Sequence, residues 1–291
     1  MYLTMRCAIL FSLLLVLVSP VFIAAAEPSS PLSVKDSSAT PVTLPYLLSQ
    51  DVNHEDYYFS QLIILAMDKS VNEFGAWKKQ HHSSWLRDKR LRLALEHGEL
   101  DVIWSQTNAA FEKDMQAIKF PLLRGLGHYR LLLIREADQA LFDKVQSLQQ
   151  LAKFTGGMGA QWPDVPIMMA NNLPQVTVPG FGKLFRMLAA GRFDYFSRGI
   201  YQIQSEVDFY PDLPLAIEKH LLLSYPSNFY FFVKKGNEAL AQRILIGLKN
   251  ADADGSFSEL FNQVPRYRWA MHELQTSNRL ELKLAMPEET P

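Results

Sequence analysis

The stretch Leu91–Thr107, LRLALEHGELDVIWSQT, decides the fold, because a shorter copy of its pattern returns at Leu184–Arg198, LFRMLAAGRFDYFSR. In both copies a leucine stands three residues before a glycine, Gly98 or Gly191, and an aspartate stands three residues after it. A glycine there suits the left-handed residue that ends a helix. The apolar run that follows predicts a buried strand. The sequence therefore predicts two α/β lobes of similar build.

Polar residues follow both predicted strands. Ser105 and Thr107 end the first copy, and residues 197–199 follow the strand of the second. Ligands of open α/β sheets bind just beyond the carboxyl ends of the strands. We expect these two sets of residues to face one shared cleft.

The first 26 residues have the pattern of a secretory signal peptide. Arg6 precedes the apolar run Ala8–Val18, and small residues before Glu27 fit cleavage after Ala26. The alternative is an uncleaved anchor helix, because about 20 apolar residues span a bilayer. The chain has one cysteine, Cys7, so cleavage would leave no disulfide, thiol nucleophile or thiolate metal site.

The charge of the chain excludes one class of partner. With 29 basic and 30 acidic residues the formal net charge is −1, and we expect no nucleic-acid binding because that requires a basic surface.

Later apolar runs are too short to span a membrane, so we expect no stable membrane insertion after signal removal. Residues 27–41 are rich in Ser and Pro and predict a disordered leader.

The remaining chain divides into two lobes that exchange segments. Residues 42–130 together with 228–291 are expected to form the first lobe, with the C-terminal tail wrapped on it. Residues 131–227 are expected to form the second lobe. Two extended segments are predicted to connect the lobes. The first runs from Ile118 through the apolar stretch Tyr129–Ile134 and leaves the first lobe, and the second, Leu221–Val233, returns to it.

Several short sequence words, in this order, resemble the bacterial extracellular solute-binding proteins of family 3, which have the type II periplasmic binding protein fold. The words are Gly98–Ile103, Phe120–Leu122, Ser147–Leu151 leading to Gly159–Pro163, Leu184–Asp194, and Asp254–Phe257. The resemblance covers about residues 42–262 and is to a divergent branch with unknown ligand. It implies an α/β fold of two lobes, joined by two crossing strands, that close over a small solute.

The chain departs from that family where amino-acid binders hold their ligand. Those proteins usually place an arginine a few residues after the position of Thr107, where it pairs with the ligand carboxylate, whereas this chain has Phe111 and its neighbours there. They also carry an aspartate at the end of the second-lobe strand, where this chain has residues 197–199. Both halves of the α-amino-acid clamp are missing, which argues against a standard amino-acid ligand.

Three predicted ligand-binding residues lie at the ends of the two predicted strands. Ser105 and Thr107 offer hydroxyl groups at the first strand end, although plain turn chemistry is the alternative. Arg198 follows the second buried strand and is a candidate grip for an anion. Its alternative role is an ion pair with a structural acid.

Four further residues complete the predicted site. Gln161 and Trp162 precede Pro163, which suits a first helical position, so backbone donors there could hold an anionic group while Trp162 stacks on it. Trp104 and Tyr46 are candidate apolar walls. Core packing is the alternative for all three aromatic residues.

The sequence does not predict catalytic residues, a metal or a cofactor. His81 and His82 are adjacent on a predicted strand and point to opposite faces, which does not suit one metal ion. No Gly-x-Ser-x-Gly elbow or Gly-rich phosphate loop is present. The enzyme alternative is a periplasmic dehydratase resembling the cyclohexadienyl type, for which Glu112 and Asp114 are the nearest candidate acids.

The resulting hypothesis is a monomeric solute-binding protein of the bacterial periplasm. It would close on a small polar or anionic solute and present it to the permease of an ABC-type importer or to a sensor. A third reading is a scaffold or sensor partner that has lost its ligand. A cleft filled by the protein's own Trp and Phe side chains would support that third reading.

Overall fold

The computed structural model describes residues 39–287. The predicted signal peptide and most of the predicted leader lie outside the described residues. Within residues 39–287, no helix combines the length and the apolar character that crossing a membrane requires.

Helices and strands alternate along the described chain. The strands are β1 Thr40–Leu44, β2 Trp77–His81, β3 Val102–Gln106, β4 Met115–Ile118, β5 Tyr129–Arg135, β6 Gly156–Gly159, β7 Gln175–Val178, β8 Tyr195–Gly199, β9 Leu215–Ile217, β10 Leu221–Ser224, β11 Phe229–Lys234 and β12 Leu280–Lys283. The helices are α1 Tyr57–Lys69, α2 Val71–Phe74, α3 Asp88–His97, α4 Ala109–Asp114, α5 Gln139–Phe142, α6 Leu148–Leu151, α7 Asp164–Ala170, α8 Phe181–Ala189, α9 Ile203–Phe209, α10 Glu238–Ala253, α11 Ser256–Gln263 and α12 Pro265–Thr276.

The strands form two groups. In the first lobe β1 pairs in parallel with β2, and β11 lies between β3 and β4, antiparallel to both. In the second lobe a seven-stranded sheet has the order β12-β10-β5-β8-β6-β7, with β9 also paired to β5. Helices supply the other layer, most extensively where α10 packs along α1. The expectation of a two-lobed α/β fold is confirmed.

The repeated sequence pattern builds the same local structure in both lobes. Gly98 and Gly191 follow α3 and α8 and have φ angles of 77° and 70°, which explains why both are glycine. Asp101 accepts a bond from the Thr43 amide at 2.7 Å, and its own amide donates to the Thr43 carbonyl oxygen at 3.0 Å. Asp194 makes the same two bonds with Thr155, at 2.9 and 2.7 Å. The aspartate therefore ties the strand that follows it to the neighbouring segment of the chain.

Two segments connect the lobes, residues 119–128 between β4 and β5 and residues 225–228 between β10 and β11. The predicted single extended run Leu221–Val233 is thus two strands in two different sheets, interrupted at Pro226, which has no amide hydrogen to donate. The connections touch, because the Tyr225 amide donates to the His128 carbonyl oxygen at 3.1 Å. A Cβ at Gly127 would lie 2.7 Å from the carbonyl oxygen of Ser227.

The C-terminal tail differs from the expectation. Helix α12 lies against the first lobe, but β12 pairs in parallel with β10 of the second sheet. Leu282 and Leu284 are buried in the second lobe's core. The physical reason is that β10 would otherwise be an unpaired sheet edge, and apolar residues alternate through this part of the tail.

Apolar contacts run without a break from one lobe into the other. One cluster contains Tyr58 and Phe231 of the first lobe together with Phe185, Phe196 and Tyr201 of the second. A separate cluster fills the opposite face of the second sheet. The junction between the lobes is therefore part of the main hydrophobic core.

The contact between α1 and α10 depends on Gly247. A Cβ on this residue would overlap the backbone carbonyl of Ala66, so Gly247→Ala must push the two helices apart. Overpacking of this kind costs about 1–3 kcal/mol, which urea unfolding measures. Gly182→Ala is the matched control, because its Cβ would meet only the Tyr210 hydroxyl at 3.4 Å. Equal midpoints for the two variants would contradict this packing.

Buried tyrosines predict the response of the fold to alkali. Burial raises the pKa of Tyr201 to about 12 and also raises the pKa values of Tyr58, Tyr195 and Tyr267. Their unfolded pKa is about 10, so stability is fully present below pH 10 and is lost as the pH rises towards 12. Urea unfolding between pH 8 and 11 should show this loss.

Tyr201→Phe should make the alkaline loss of stability less steep, because one buried hydroxyl no longer ionises on unfolding. Tyr46→Phe is the control, since Tyr46 is 43% exposed. The same pH slope in both variants would count against a contribution from Tyr201.

Candidate functional site

The candidate site is the junction where the ends of β3 and β8 meet the connecting segments. Gln106, the last residue of β3, accepts a hydrogen bond from Nη2 of Arg130 on β5 at 3.2 Å. The next amide, of Thr107, donates to the carbonyl oxygen of Asn228 at 2.9 Å. These bonds join the first lobe to the second lobe and to a connecting segment.

The two predicted hydroxyl residues of the first lobe have different surroundings. Ser105 is half-buried and lies opposite Tyr230 in the β3–β11 ladder. The Thr107 hydroxyl donates to Oε1 of Glu112 at 2.8 Å. Lys119 also contacts Glu112, at 2.8 Å, and these bonds lower the pKa of its carboxyl group. The Thr107 hydroxyl is thus already engaged by its own turn.

The two predicted aromatic walls of the first lobe are also unlike each other. Trp104 is buried, its ring stacks on Phe59, and its indole N–H donates to Oδ1 of Asp56 at 2.8 Å. Tyr46 is 43% exposed. Trp104 is therefore a core residue with one polar tie at the start of α1, and Tyr46 lies on the surface.

Arg198 is held by a carboxylate within its own lobe. Its Nε donates to Oε2 of Glu206 at 2.7 Å, and its Nη2 contacts the other carboxylate oxygen. The guanidinium carbon lies 4.6 Å from the ring centre of Trp162 and 5.2 Å from that of Phe181. Burial alone would lower the pKa of Arg198, but Glu206 reverses this effect and leaves the pKa raised. Arg198 and Trp162 are the predicted residues that the structure brings together.

Glycines on β6 make room for Trp162. A Cβ at Gly159 would lie 2.5 Å from the indole ring, and a Cβ at Gly157 would overlap the ring of Phe193. Trp162 itself is half-buried and stacks on Phe196 with ring centres 5.8 Å apart. Gln161, next to it, is exposed. The segment that precedes α7 thus places the exposed Gln161 side chain next to the packed ring of Trp162.

Sequence reasoning missed a buried polar network at the junction, which is centred on Arg130. Its Nε and Nη2 donate to Oδ1 of Asp164 at 3.1 and 2.9 Å, and its Nη1 donates to the carbonyl oxygen of Gly127 at 2.7 Å. The Tyr225 hydroxyl also donates to Asp164. Arg130 and Asp164 are 3% and 7% exposed. This network links both connecting segments to β3 and α7.

A sequence signal for this network did exist. Arg130 is a lone charge at the start of the apolar run Tyr129–Ile134, and a buried charge requires a partner. Asp164 follows Pro163 at a predicted helix start, where a carboxylate is favourable. Nothing in the sequence connects these two positions, because the fold alone brings them together.

Tyr201 connects aromatic side chains of the two lobes. Its ring centre is 6.1 Å from that of Phe229 and 6.5 Å from that of Tyr267, so it bridges the second lobe to the first. Burial has the largest effect on the pKa of Tyr201 and raises it. The charges of the Arg130–Asp164 and Arg198–Glu206 pairs have smaller effects. Aromatic side chains therefore fill space between the lobes.

Two cavities lie away from the junction. One of about 350 Å³ lies between β4 and α10, and one of about 230 Å³ lies beside α8 near Arg186. None of the predicted ligand-binding residues lines either cavity. In the part of the chain that the structure describes, no three His, Cys, Asp or Glu side chains are grouped to hold a metal ion.

No protein-family model matches the sequence, and no curated protein matches it either. Solved structures do match the fold. An ancestral arginine-binding protein bound to glutamine matches with a TM-score of 0.59 and 15% identity, over 79% of this chain and 99% of that chain.

Two further structures are similar. An amino-acid ABC transporter substrate-binding protein from Streptococcus pneumoniae, bound to L-arginine, has a TM-score of 0.52 and 17% identity, over 72% of this chain and 84% of that one. An ancestral amino-acid-binding protein, a precursor of cyclohexadienyl dehydratase, has a TM-score of 0.51 and 15% identity, over 70% and 84%. At these identities the likeness establishes the fold alone, and the chain has the two-lobed α/β fold of these three binding proteins.

Proposed function

We propose that this protein captures a small polar solute between its two lobes by hinge closure. The observation that carries the proposal is the bond between Gln106 and Arg130, which joins the strand end of one lobe to the other lobe. Ser105 and Gln161 add a hydroxyl group and an exposed amide group near these strand ends. A solute that contacts both lobes binds the closed state more tightly than an open one, and that difference in affinity stabilises the closed state around the solute.

The buried charges favour an uncharged polar solute over an anionic one. Arg198 is paired with Glu206 and Arg130 with Asp164, so neither guanidinium has an uncompensated charge to offer. An anion gripped by Arg198 has to replace Glu206. Leaving the buried carboxylate of Glu206 without its partner costs about 3–5 kcal/mol, which binding of a small anion must offset.

We further propose that the protein works in the bacterial periplasm with a membrane permease or a sensor. The similar proteins include a substrate-binding protein of an amino-acid ABC transporter. Export through the predicted signal peptide and recognition of the closed form by the partner belong to this proposal.

A ligand-free scaffold is the second candidate. The observation that favours it is the aromatic contact through the junction, where Tyr201 of the second lobe approaches Phe229 and Tyr267. A dehydratase has less support, although one similar structure is a dehydratase precursor. Lys119 and Thr107 lower the pKa of Glu112, and a carboxyl group with a lowered pKa is a poor proton donor at neutral pH.

A thermal-shift screen tests the proposed function. The panel contains neutral and charged amino acids, dipeptides, sugars, polyamines and organic acids. A solute at 100 times its dissociation constant stabilises the fold by about 2.7 kcal/mol. We expect a neutral polar hit that Gln106→Ala abolishes and that Tyr46→Ala, at the exposed control position, retains. No hit across the panel would favour the scaffold.

Glu206→Gln tests whether Arg198 is a structural ion pair. The change leaves a buried guanidinium without its counter-charge, so we expect a loss of about 3–5 kcal/mol in urea unfolding. Glu55→Gln is the matched control, because the Arg87–Glu55 pair is 44% and 48% exposed and should contribute at most about 1 kcal/mol. If organic anions stabilise Glu206→Gln more than the unaltered protein, Arg198 can act as an anion grip once it is released. Equal small losses in both variants would contradict the structural pair.

A further inference from the structure

Residues 265–287, the C-terminal strap, contact both lobes in addition to the two connecting segments. The strap comprises α12, a short linker and β12 with the residues after it. We propose that the strap holds the two lobes closed in the absence of solute, and that release of β12 from β10 opens the junction. This inference concerns the resting state of the protein and does not depend on the proposed solute.

The first end of the strap is anchored in the first lobe. Arg266 is 3% exposed and donates to the carbonyl oxygens of Val52 and His54 at 2.9 and 3.3 Å. Tyr267 is fully buried, with its ring centre 4.9 Å from that of Tyr58 and 5.0 Å from that of Phe261. A buried guanidinium and a buried ring at adjacent positions make this end hard to detach.

The second end of the strap is anchored in the second lobe. Four residues of β12 pair with β10, and the amides of Leu280 and Leu284 donate to the carbonyl oxygens of His220 and Ser224 at 2.7 and 2.8 Å. Beyond the strand, the Asn171 side chain bonds both to the carbonyl oxygen and to the amide of Ala285, at 2.8 and 2.9 Å. The strap thus extends the second sheet by one strand.

The linker between the two ends has little slack. Only Ser277, Asn278 and Arg279 separate α12 from β12, and three residues span at most about 10 Å. Arg279 restrains the linker further, because its side chain donates to the Glu273 carboxylate of α12 at 2.8 Å and to the carbonyl oxygen of Leu221 on β10 at 3.2 Å. A hinge motion that separates the anchors must therefore detach one of them.

The second-lobe anchor is the one expected to yield. Among the strands of residues 39–287, β12 is at the edge of its sheet and pairs only with β10. Short edge strands open locally at lower free energy than elements buried on all sides. Arg266 and Tyr267, by contrast, cannot leave the first lobe without exposing a core ring and an arginine.

Distance measurements between the lobes test the strap in the full chain. Spin labels are placed at Ser83→Cys in the first lobe and Lys183→Cys in the second, both exposed, with Cys7→Ser as background. Without solute we expect one short distance population. Leu282→Lys with Leu284→Lys removes the buried side chains of β12 and should add a longer population. Lys283→Glu, at the exposed position between them, is the control and should leave the distribution unchanged.

Hydrogen exchange decides the result if the distances do not change. An unchanged distribution, together with faster exchange of the Leu280 and Leu284 amides, would show β12 released with the lobes still closed and would overturn the proposal. A wild-type protein that is already open while those amides stay protected would overturn it as well.

A disulfide provides a second test that removes no core side chain. Ser224 and Lys283 are register partners on β10 and β12, and neighbouring strands are close enough for a disulfide between them. The test variant carries Ser224→Cys together with Lys283→Cys. Hydrogen exchange is compared between its oxidised and reduced forms at the junction peptides 104–108 and 159–163. Exchange should be about tenfold or more slower in the oxidised form, because opening of the junction requires β12 to leave β10. Equal rates in the two redox states would reject the strap.

Discussion

Burial of the Arg130 guanidinium sets the arrangement of the junction. A guanidinium cannot lose its proton and carries five N–H donors, so an arginine that is 3% exposed needs acceptors on several sides. Asp164 supplies the counter-charge, Gly127 a carbonyl oxygen from a connecting segment, and Gln106 an amide oxygen from the other lobe. One side chain thereby fixes the register of α7, the first connecting segment and β3 at the same point.

Local sequence predicted the parts of the fold that local chemistry determines. Gly98 and Gly191 both required left-handed backbone, and the apolar runs after them became buried strands. Residues 135–152 form a series of short turns and helices that includes α5 and α6, because few apolar side chains recur there at helical spacing. The destination of the C-terminal tail depended on an open sheet edge in the other lobe, which no local pattern reveals.

The candidate site shows the same division. Positions at strand ends were predictable, and Arg198 and Trp162 do meet beside β8. Their partners were not predictable, because Glu206 reaches Arg198 from the helix that follows, and Asp164 reaches Arg130 from 34 residues away. Whether a buried arginine offers its charge to a solute depends on such a partner, and therefore on tertiary structure.

The glycines of β6 have an evolutionary consequence. Space above Gly157 and Gly159 is already taken by the rings of Phe193 and Trp162, so a larger residue at either position must displace an aromatic side chain. A single substitution at Gly157 or Gly159 is therefore poorly tolerated unless the neighbouring ring changes as well. Sequence change is better tolerated at flanking positions such as Gln161, where the side chain is exposed and substitution leaves both rings in place.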